Sequence, residues 1–344
     1  MLGVMTWLIY GANGYTGELI AREAVRRGHK PILAGRSAEK LAPLAKELGL
    51  EARAFPLDKP QLDGVDAVLH CAGPFVHTSK PMVRACIDAG AHYLDITGEI
   101  PVFESIMSMN DDASRAGVTL IPGVGFDVVP TDCLGAMLAA RLPGPTELEL
   151  AFYSPGGEIS RGTLKTMIES IGDGGAIRRD GKIIRVPPAF DAKEIPFSIA
   201  SRMAMTIPWG DVSTAFHTTG IPYIRVYTAA SPKSIARMRR FRPFFPLLGI
   251  KPIKRLLQTF ANRRTGPDEA RRAAGRTYLW GRVSDGKREV TMTMTTPEGY
   301  AFTVISALTA VEQLLASPKR PGAFTPAKFF GAEFVTTIPG VELT

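Results

Sequence analysis

The first 130 residues alternate between two hydrophobic periods. Short apolar runs lie at 6–10 (TWLIY), 31–35 (PILAG), 52–56, 66–71 (DAVLHC), 92–96 (HYLDI) and 118–122 (VTLIP). Runs of this kind mark strands buried on both faces of a parallel sheet. Helical periods fill the intervals at 16–28, 38–48, 79–90 and 101–116. In the first of these, Leu19, Ile20, Ala24 and Val25 fall on one side, and Arg22, Glu23, Arg26 and Arg27 on the other. Strand and helix in alternation predict an α/β fold: a Rossmann-type doubly wound parallel sheet with helices on both faces.

Beyond residue 131 the pattern changes. Strand-like alternation occurs at 146–153 (TELELAFY), 221–228, 276–284 and 287–295, with Asp285-Gly286 as a hairpin signal between the last two. Helical patterns occupy 161–173 and 300–316. The latter is apolar on nearly every side, which predicts a helix buried between two units. The expected division is a first domain over 1–130 and a second, α+β domain over 131–295 that serves substrate binding or dimerisation.

Composition narrows the class. A chain of 344 residues and 37.1 kDa, 45% hydrophobic and 22% charged, has the balance of a two-domain globular protein. Cys71, Cys86 and Cys133 form no CxxC and no Cys/His cluster, so neither a metal site nor a disulfide framework is expected. That usage fits a reducing, cytoplasmic location. The N-terminal apolar stretch is short and runs into a glycine turn, which predicts a strand and not a targeting segment. No run of 18 apolar residues suggests a spanning helix.

The net charge is +8 and unevenly placed. Residues 231–272 carry twelve Lys and Arg, among them Arg263 and Arg264, against Asp268 and Glu269, a local balance of +10 that leaves −2 for the remainder. Charge concentrated in this way, without a base-reading motif, argues against a nucleic-acid partner. In 231–264 the cations are interleaved with Phe and Leu and broken by Pro243, Pro246 and Pro252. This composition suits contact with an anionic membrane surface or an acyl chain. It equally suits a lid or homodimer contact with buried apolar residues and solvated cations.

Candidate chemistry gathers at the ends of the predicted strands. Gly11, Gly14 and Gly17, together with Asn13, Tyr15 and Thr16, lie between the first strand and the first helix. Such a turn lets a pyrophosphate approach backbone amides at a helix N-terminus. The second strand ends in Gly35-Arg36-Ser37, where an NAD site places an acid for the ribose hydroxyls. Arg36, Ser37 and Lys40 instead suit a 2′-phosphate, so NADP(H) is the expected cofactor. The fourth strand ends in Cys71, Ala72, Gly73, Pro74 and Phe75, small residues beside a ring that either covers a flat ligand or joins the core. Tyr93, Asp95, Gly98 and Glu99 follow, then Asp127 and Asp132. Acids at the mouth of a sheet position a proton or cap a helix; Asp132 suits an N-cap for 133–141.

GANGYTG, LAGRS, CAGPF, YLDITGE and PGVGFDVVPTD, in this order, resemble the saccharopine dehydrogenase-like oxidoreductases. The branch containing trans-acting enoyl reductases of lipid and polyketide assembly is the closer match. The resemblance implies an NADP(H)-binding Rossmann domain, with Gly98 among its cofactor contacts, and a mixed second domain. It also implies that the last segments, 296–344, pack back on the first domain. The activity it implies is reduction of an unsaturated, carbonyl or imine acceptor, lipid- or polyketide-linked in the enoyl reductase case. Tyr93, Asp95 and Asp127 are the candidates for proton donor, since no His or Tyr is fixed in that role by spacing. The competing expectation is a non-catalytic NADP-binding sensor or scaffold.

Overall fold

The computed structural model describes residues 5–262, 265–317 and 320–344. Residues 1–4 of the first expected domain, Arg263 and Arg264 of the basic stretch and residues 318–319 of the tail lie outside the described residues.

The N-terminal strands are β1 (Trp7–Tyr10), β2 (Ile32–Gly35), β3 (Ala52–Ala54), β4 (Ala67–His70), β5 (His92–Asp95) and β6 (Thr119–Ile121). Helices α1 (Tyr15–Arg26), α2 (Ala38–Leu48), α3 (Phe75–Ala89), α4 (Ile100–Met107), α5 (Asn110–Ala116) and α6 (Val129–Arg141) connect or follow them. The strands pair in parallel in the order β6-β5-β4-β1-β2-β3. The order reverses between β1 and β4, and in open sheets of this kind ligands bind in the crevice outside the strands' carboxyl ends at such a switch point. Alternate strand residues feed two cores. Leu8, Tyr10, Val68 and Tyr93 meet Met82, Val83 and Cys86 of α3 on one face. Ile9, Leu33, Leu69 and Leu94 meet Ile20 and Ala24 of α1 on the other.

The second unit holds β7 (Glu147–Tyr153), α7 (Arg161–Glu169), β8 (Gly175–Arg179), β9 (Lys182–Val186), β10 (Ala192–Pro196), β11 (Ser201–Thr206), α8 (Asp211–Thr219) and β12 (Tyr223–Ala229). It continues with α9 (Pro232–Arg240), α10 (Phe245–Leu248), α11 (Lys251–Ala261), α12 (Glu269–Ala274), β13 (Arg276–Ser284) and β14 (Glu289–Pro297). Then come α13 (Gly299–Ala316), β15 (Gly322–Ala323), α14 (Pro326–Phe330) and β16 (Glu342–Leu343). The second sheet runs β10-β11-β12-β7-β13-β14-β16, with the β8–β9 hairpin attached to β12. It is antiparallel except for the β12–β7 pair.

The tail serves both units. β15 adds a parallel edge strand beside β6, and β16 pairs with β14. Helix α13 lies against α1 and β4 and buries Phe302, Ala307, Leu308 and Val311 in the core shared with Ile9 and Leu33. Its length and composition match a bilayer-crossing helix, yet its partners here are protein. The boundary drawn at residue 130 falls inside α6, which packs on α8, β13 and β14.

Several elements depart from their expected limits. Helix α3 begins at Phe75 and not at 79, because both carboxylate oxygens of Glu99 accept from Phe75 N and Val76 N, at 2.7 and 2.8 Å. The helix expected over 101–116 breaks at Ser108-Met109, where the Ser108 hydroxyl bonds back to Ser105 O. Asp132 is no N-cap of its own helix, which starts at Val129 with Val128 as the capping residue. Its carboxylate accepts instead from Ala327 N, in the first turn of α14, and from the Thr218 hydroxyl. Strands β8 to β11 carry no pattern that predicted them.

Candidate functional site

The glycine turn ends β1 and opens α1. Gly11 has φ +87°, and a methyl group there would stand 2.9 Å from the Ala72 backbone nitrogen. A methyl group on Gly17 would stand 2.3 Å from Gly11 O, so only glycine allows the helix this close to the strand. Gly14, the N-cap, is extended at φ −87°, ψ 162° and offers no side-chain cap to the first turn. The amides of Tyr15 and Thr16 therefore head a helix with no intrahelical acceptor. Partial positive charge and free donors at that point favour an anion. The Asn13 side chain lies over Gly35, 3.0 Å from where a Cβ would be, and joins the ends of β1 and β2. Tyr15 turns its ring onto Tyr300 at 5.0 Å and donates its hydroxyl to Pro267 O, so its ring belongs to the contact between the two units.

At the end of β2, Arg36 is exposed and Ser37 caps α2 through its hydroxyl, which accepts from Lys40 N at 3.4 Å. Lys40 is exposed one turn into α2. Two further cations arrive from the second unit. The ammonium of Lys165, on α7, is pushed below its usual pKa by burial first and then by the like charges of Arg161 and Arg36. Among the described residues, Arg36, Arg161 and Lys165 have no carboxylate partner. Three cations gathered without a counter-charge repel one another, and an anion between them relieves that repulsion. Helix α7 also sets Thr166 Oγ1 3.3 Å from where a Cβ on Gly73 would be, so it lies across the end of β4.

The end of β4 is closed by the Gly73-Pro74 step, a cis peptide bond. Phe75 is 7% exposed, with its ring 5.5 Å from that of His70, so it packs in the core. Burial pushes the Cys71 thiol up, away from thiolate chemistry.

The three acid–base candidates separate. Tyr93 and Asp95 are both fully buried. Asp95 accepts from Thr97 N at 3.0 Å, Gly123 N at 2.8 Å and the Tyr93 hydroxyl at 2.8 Å. These bonds tie the ends of β5 and β6 together, so the expectation that either residue meets a substrate is corrected to a positioning role. Burial raises Asp95 to about 6 even against those three donors. Asp127 differs. It is half-buried, its carboxylate makes no hydrogen bond or ion pair among the described residues, and its Oδ2 lies 2.7 Å from where a Cβ on Gly98 would be. Burial, and then the negative charge of Glu99, push it up to about 7. A carboxyl group near 7 exchanges a proton at neutral pH.

Tyr300, at the start of α13, stands in the same neighbourhood. Its hydroxyl accepts from Ser160 N at 2.7 Å and shares a 2.7 Å bond with the Thr163 hydroxyl. Arg161, Lys165, Thr166 and Tyr300 were absent from the sequence-based site. TPEGY carries Tyr300 and would have offered a signal; nothing in RGTLKTMIES points across to β2.

A separate cavity of about 460 Å³, lined by Glu104, Asn110, His217, Thr325 and Lys328, contains none of the sequence-predicted residues. His217, with Ser213 and Arg178, holds Glu104 down at about 2, which makes that cluster a tie between α4, α8 and β8.

Residues 7–121 match the family described as the saccharopine dehydrogenase NADP binding domain. The chain is 29% identical over 218 residues to a human saccharopine dehydrogenase-like oxidoreductase, covering 53% of this chain and 49% of that one. It is 34% identical over 138 residues to a trans-acting enoyl reductase of Mycobacterium bovis, covering 36% and 33% respectively. The chain thus spans half the length, or less, of these curated relatives. Across its whole length it shares the fold of apo saccharopine dehydrogenase (L-Glu forming) from Saccharomyces cerevisiae, with a TM-score of 0.63 at 12% identity, covering 99% of this chain and 100% of that one. The N-terminal unit is therefore a dinucleotide-binding domain of the saccharopine dehydrogenase type, and the resemblance read from its motifs holds.

Proposed function

We propose that the protein is an NADP(H)-dependent reductase of an unsaturated, carbonyl or imine acceptor, with an acyl-linked enoyl thioester as the first substrate to try. One observation carries the cofactor part: the like charges of Arg161 and of Arg36, at the β2 end, act on Lys165, and among the described residues none of the three has a carboxylate partner. The residues present fit the group. The first-turn amides of α1 would hold the pyrophosphate, Gly11 and Gly17 keep the cradle free of side chains, and the cations would hold the 2′-phosphate. The nicotinamide, when bound, supplies a hydride to the acceptor. The chain supplies binding, orientation and the proton. For an enoyl thioester the hydride enters at the β carbon, and Asp127 Oδ2, protonated below about 7, delivers a proton to the α carbon. Tyr300, Thr163 and Thr166 bring α7 over the end of β4. The enoyl choice draws on the named activity of the mycobacterial relative.

The test is NADPH consumption with a panel of enoyl thioesters, ketones and imines. Steady turnover with an acceptor supports a reductase, and the acceptor identifies the branch. Tight NADPH binding with no turnover on any acceptor favours a sensor or scaffold.

A further inference from the structure

The stretch 231–262 has eight Lys and Arg and no Asp or Glu. In the fold it forms α9, α10 and α11, and one side of it is fastened to the body. Arg242 Nε donates to Pro188 O at 2.8 Å and Arg239 Nε to Ala189 O at 3.1 Å. Lys254 and Gln258 bond to Glu169 at the end of α7, and Gly249 packs against the backbone of Gly172. The other side faces outward. Phe241, Phe244, Leu247, Ile250 and Leu256 are 47–59% exposed, an apolar patch that a lid or a core would have covered. Among the described residues, Lys233, Arg237, Arg240, Lys251 and Arg255 have no carboxylate partner.

Large apolar side chains ringed by uncompensated cations on short amphipathic helices match one chemistry. The apolar groups enter the acyl boundary, and the cations sit at the headgroups of an anionic lipid leaflet. A protein partner of the usual kind would bring carboxylates to some of these cations and an apolar surface to the rest. A lipid leaflet offers both over its whole area and demands no specific geometry. We propose that the α9–α11 face seats the protein on an anionic lipid surface. Because α11 packs on α7, which carries Arg161, Lys165 and Thr166, the seat also holds the crevice beside the lipid. In that clause alone the inference rests on the proposed reductase function, for which a membrane-partitioned acyl acceptor would be at hand.

The experiment is flotation of the full chain with phosphatidylcholine vesicles, with and without phosphatidylglycerol, at low and high salt. Native protein is expected to float with phosphatidylglycerol vesicles at low salt and to release at high salt. One variant replaces by Ser the residues Arg237, Arg240, Lys251 and Arg255, whose side chains show no hydrogen bond or ion pair among the described residues. A second carries Leu247→Ser with Leu256→Ser. Each is expected to lose at least about tenfold of the bound fraction while NADPH binding in solution stays unchanged. Absence of flotation at low salt overturns the proposal, as does flotation that both variants retain. A homodimer that dissociates in the Leu247→Ser, Leu256→Ser variant, without vesicle binding by the native chain, makes the face a dimer contact and also overturns it. Loss of NADPH binding by the native protein would bear on the proposed function and leave the lipid test standing.

Discussion

Gly14 and Gly17 stand three residues apart in one turn, yet substitution should cost chiefly cofactor affinity at Gly14 and both stability and affinity at Gly17. At Gly14 the backbone is extended, a region open to any residue, and an added Cβ would meet a single atom, Gly11 O at 3.1 Å. Gly14→Val therefore needs a shift of a few tenths of an ångström, and its stability loss should stay near 1 kcal/mol. Its side chain would project into the approach to the α1 N-terminus. Two amide–pyrophosphate bonds of about 1.5–3 kcal/mol each would be lost, so NADPH affinity should fall by roughly 10²- to 10⁴-fold. At Gly17 the added Cβ would stand 2.3 Å from Gly11 O and 3.0 Å from Ala12 Cα, both backbone atoms. The helix must retreat by about 1 Å to restore ordinary contact, and the cost should reach or exceed the 1–3 kcal/mol typical of overpacking. Gly17→Ala should thus lower the melting temperature as well as cofactor affinity. Calorimetric titration with NADPH beside thermal melts separates the two. A Gly14→Val protein that binds NADPH within threefold of native would make the turn a structural device only.

Arg36→Ala and Lys165→Ala should each cost about 1–3 kcal/mol for NADPH and little for NADH; equal losses for both cofactors by calorimetry would remove these cations from the 2′-phosphate. Asp127 must be protonated to donate, so with a pKa pushed up to about 7 the reductive rate should fall as pH rises through that value. Asp127→Asn should slow turnover by roughly 10²-fold or more and abolish that limb of the pH profile; a variant that keeps both shows that another group donates. Asp95→Ala leaves the buried donors of Thr97, Gly123 and Tyr93 without their acceptor, which should cost roughly 3–6 kcal/mol in urea unfolding; a loss under about 1 kcal/mol would refute its role as a tie between strand ends. A chain ending at Pro297 lacks α13, so the core shared with Ile9 and Leu33 is opened and aggregation is expected; a soluble fragment that binds NADPH would contradict this.

The sequence by itself determined the β1–glycine–α1 unit and the parallel sheet, while the switch between β1 and β4 came from the strand pairing. The unit and the sheet rest on a local period or on a turn only glycine can make, and both are written in consecutive residues. Arg36 in place of an acid was legible for the same reason. Tertiary structure decided what faces the crevice. Tyr93, Asp95 and Asp127 look alike as polar residues at strand ends, yet two point into the core and bond to each other, and only Asp127 remains half-open. The direction of a side chain at a strand end depends on where the loop after the neighbouring strand passes, and no period records that. Glu99 capping α3 from 24 residues away and α7 carrying Arg161 and Lys165 to β2 are of the same kind. The first is set by a loop folding back within the N-terminal unit, the second by the packing of two units whose sequences carry no shared pattern. The glycine turn was therefore readable from the chain, whereas the second unit's contribution to the crevice became visible only when the units were packed together.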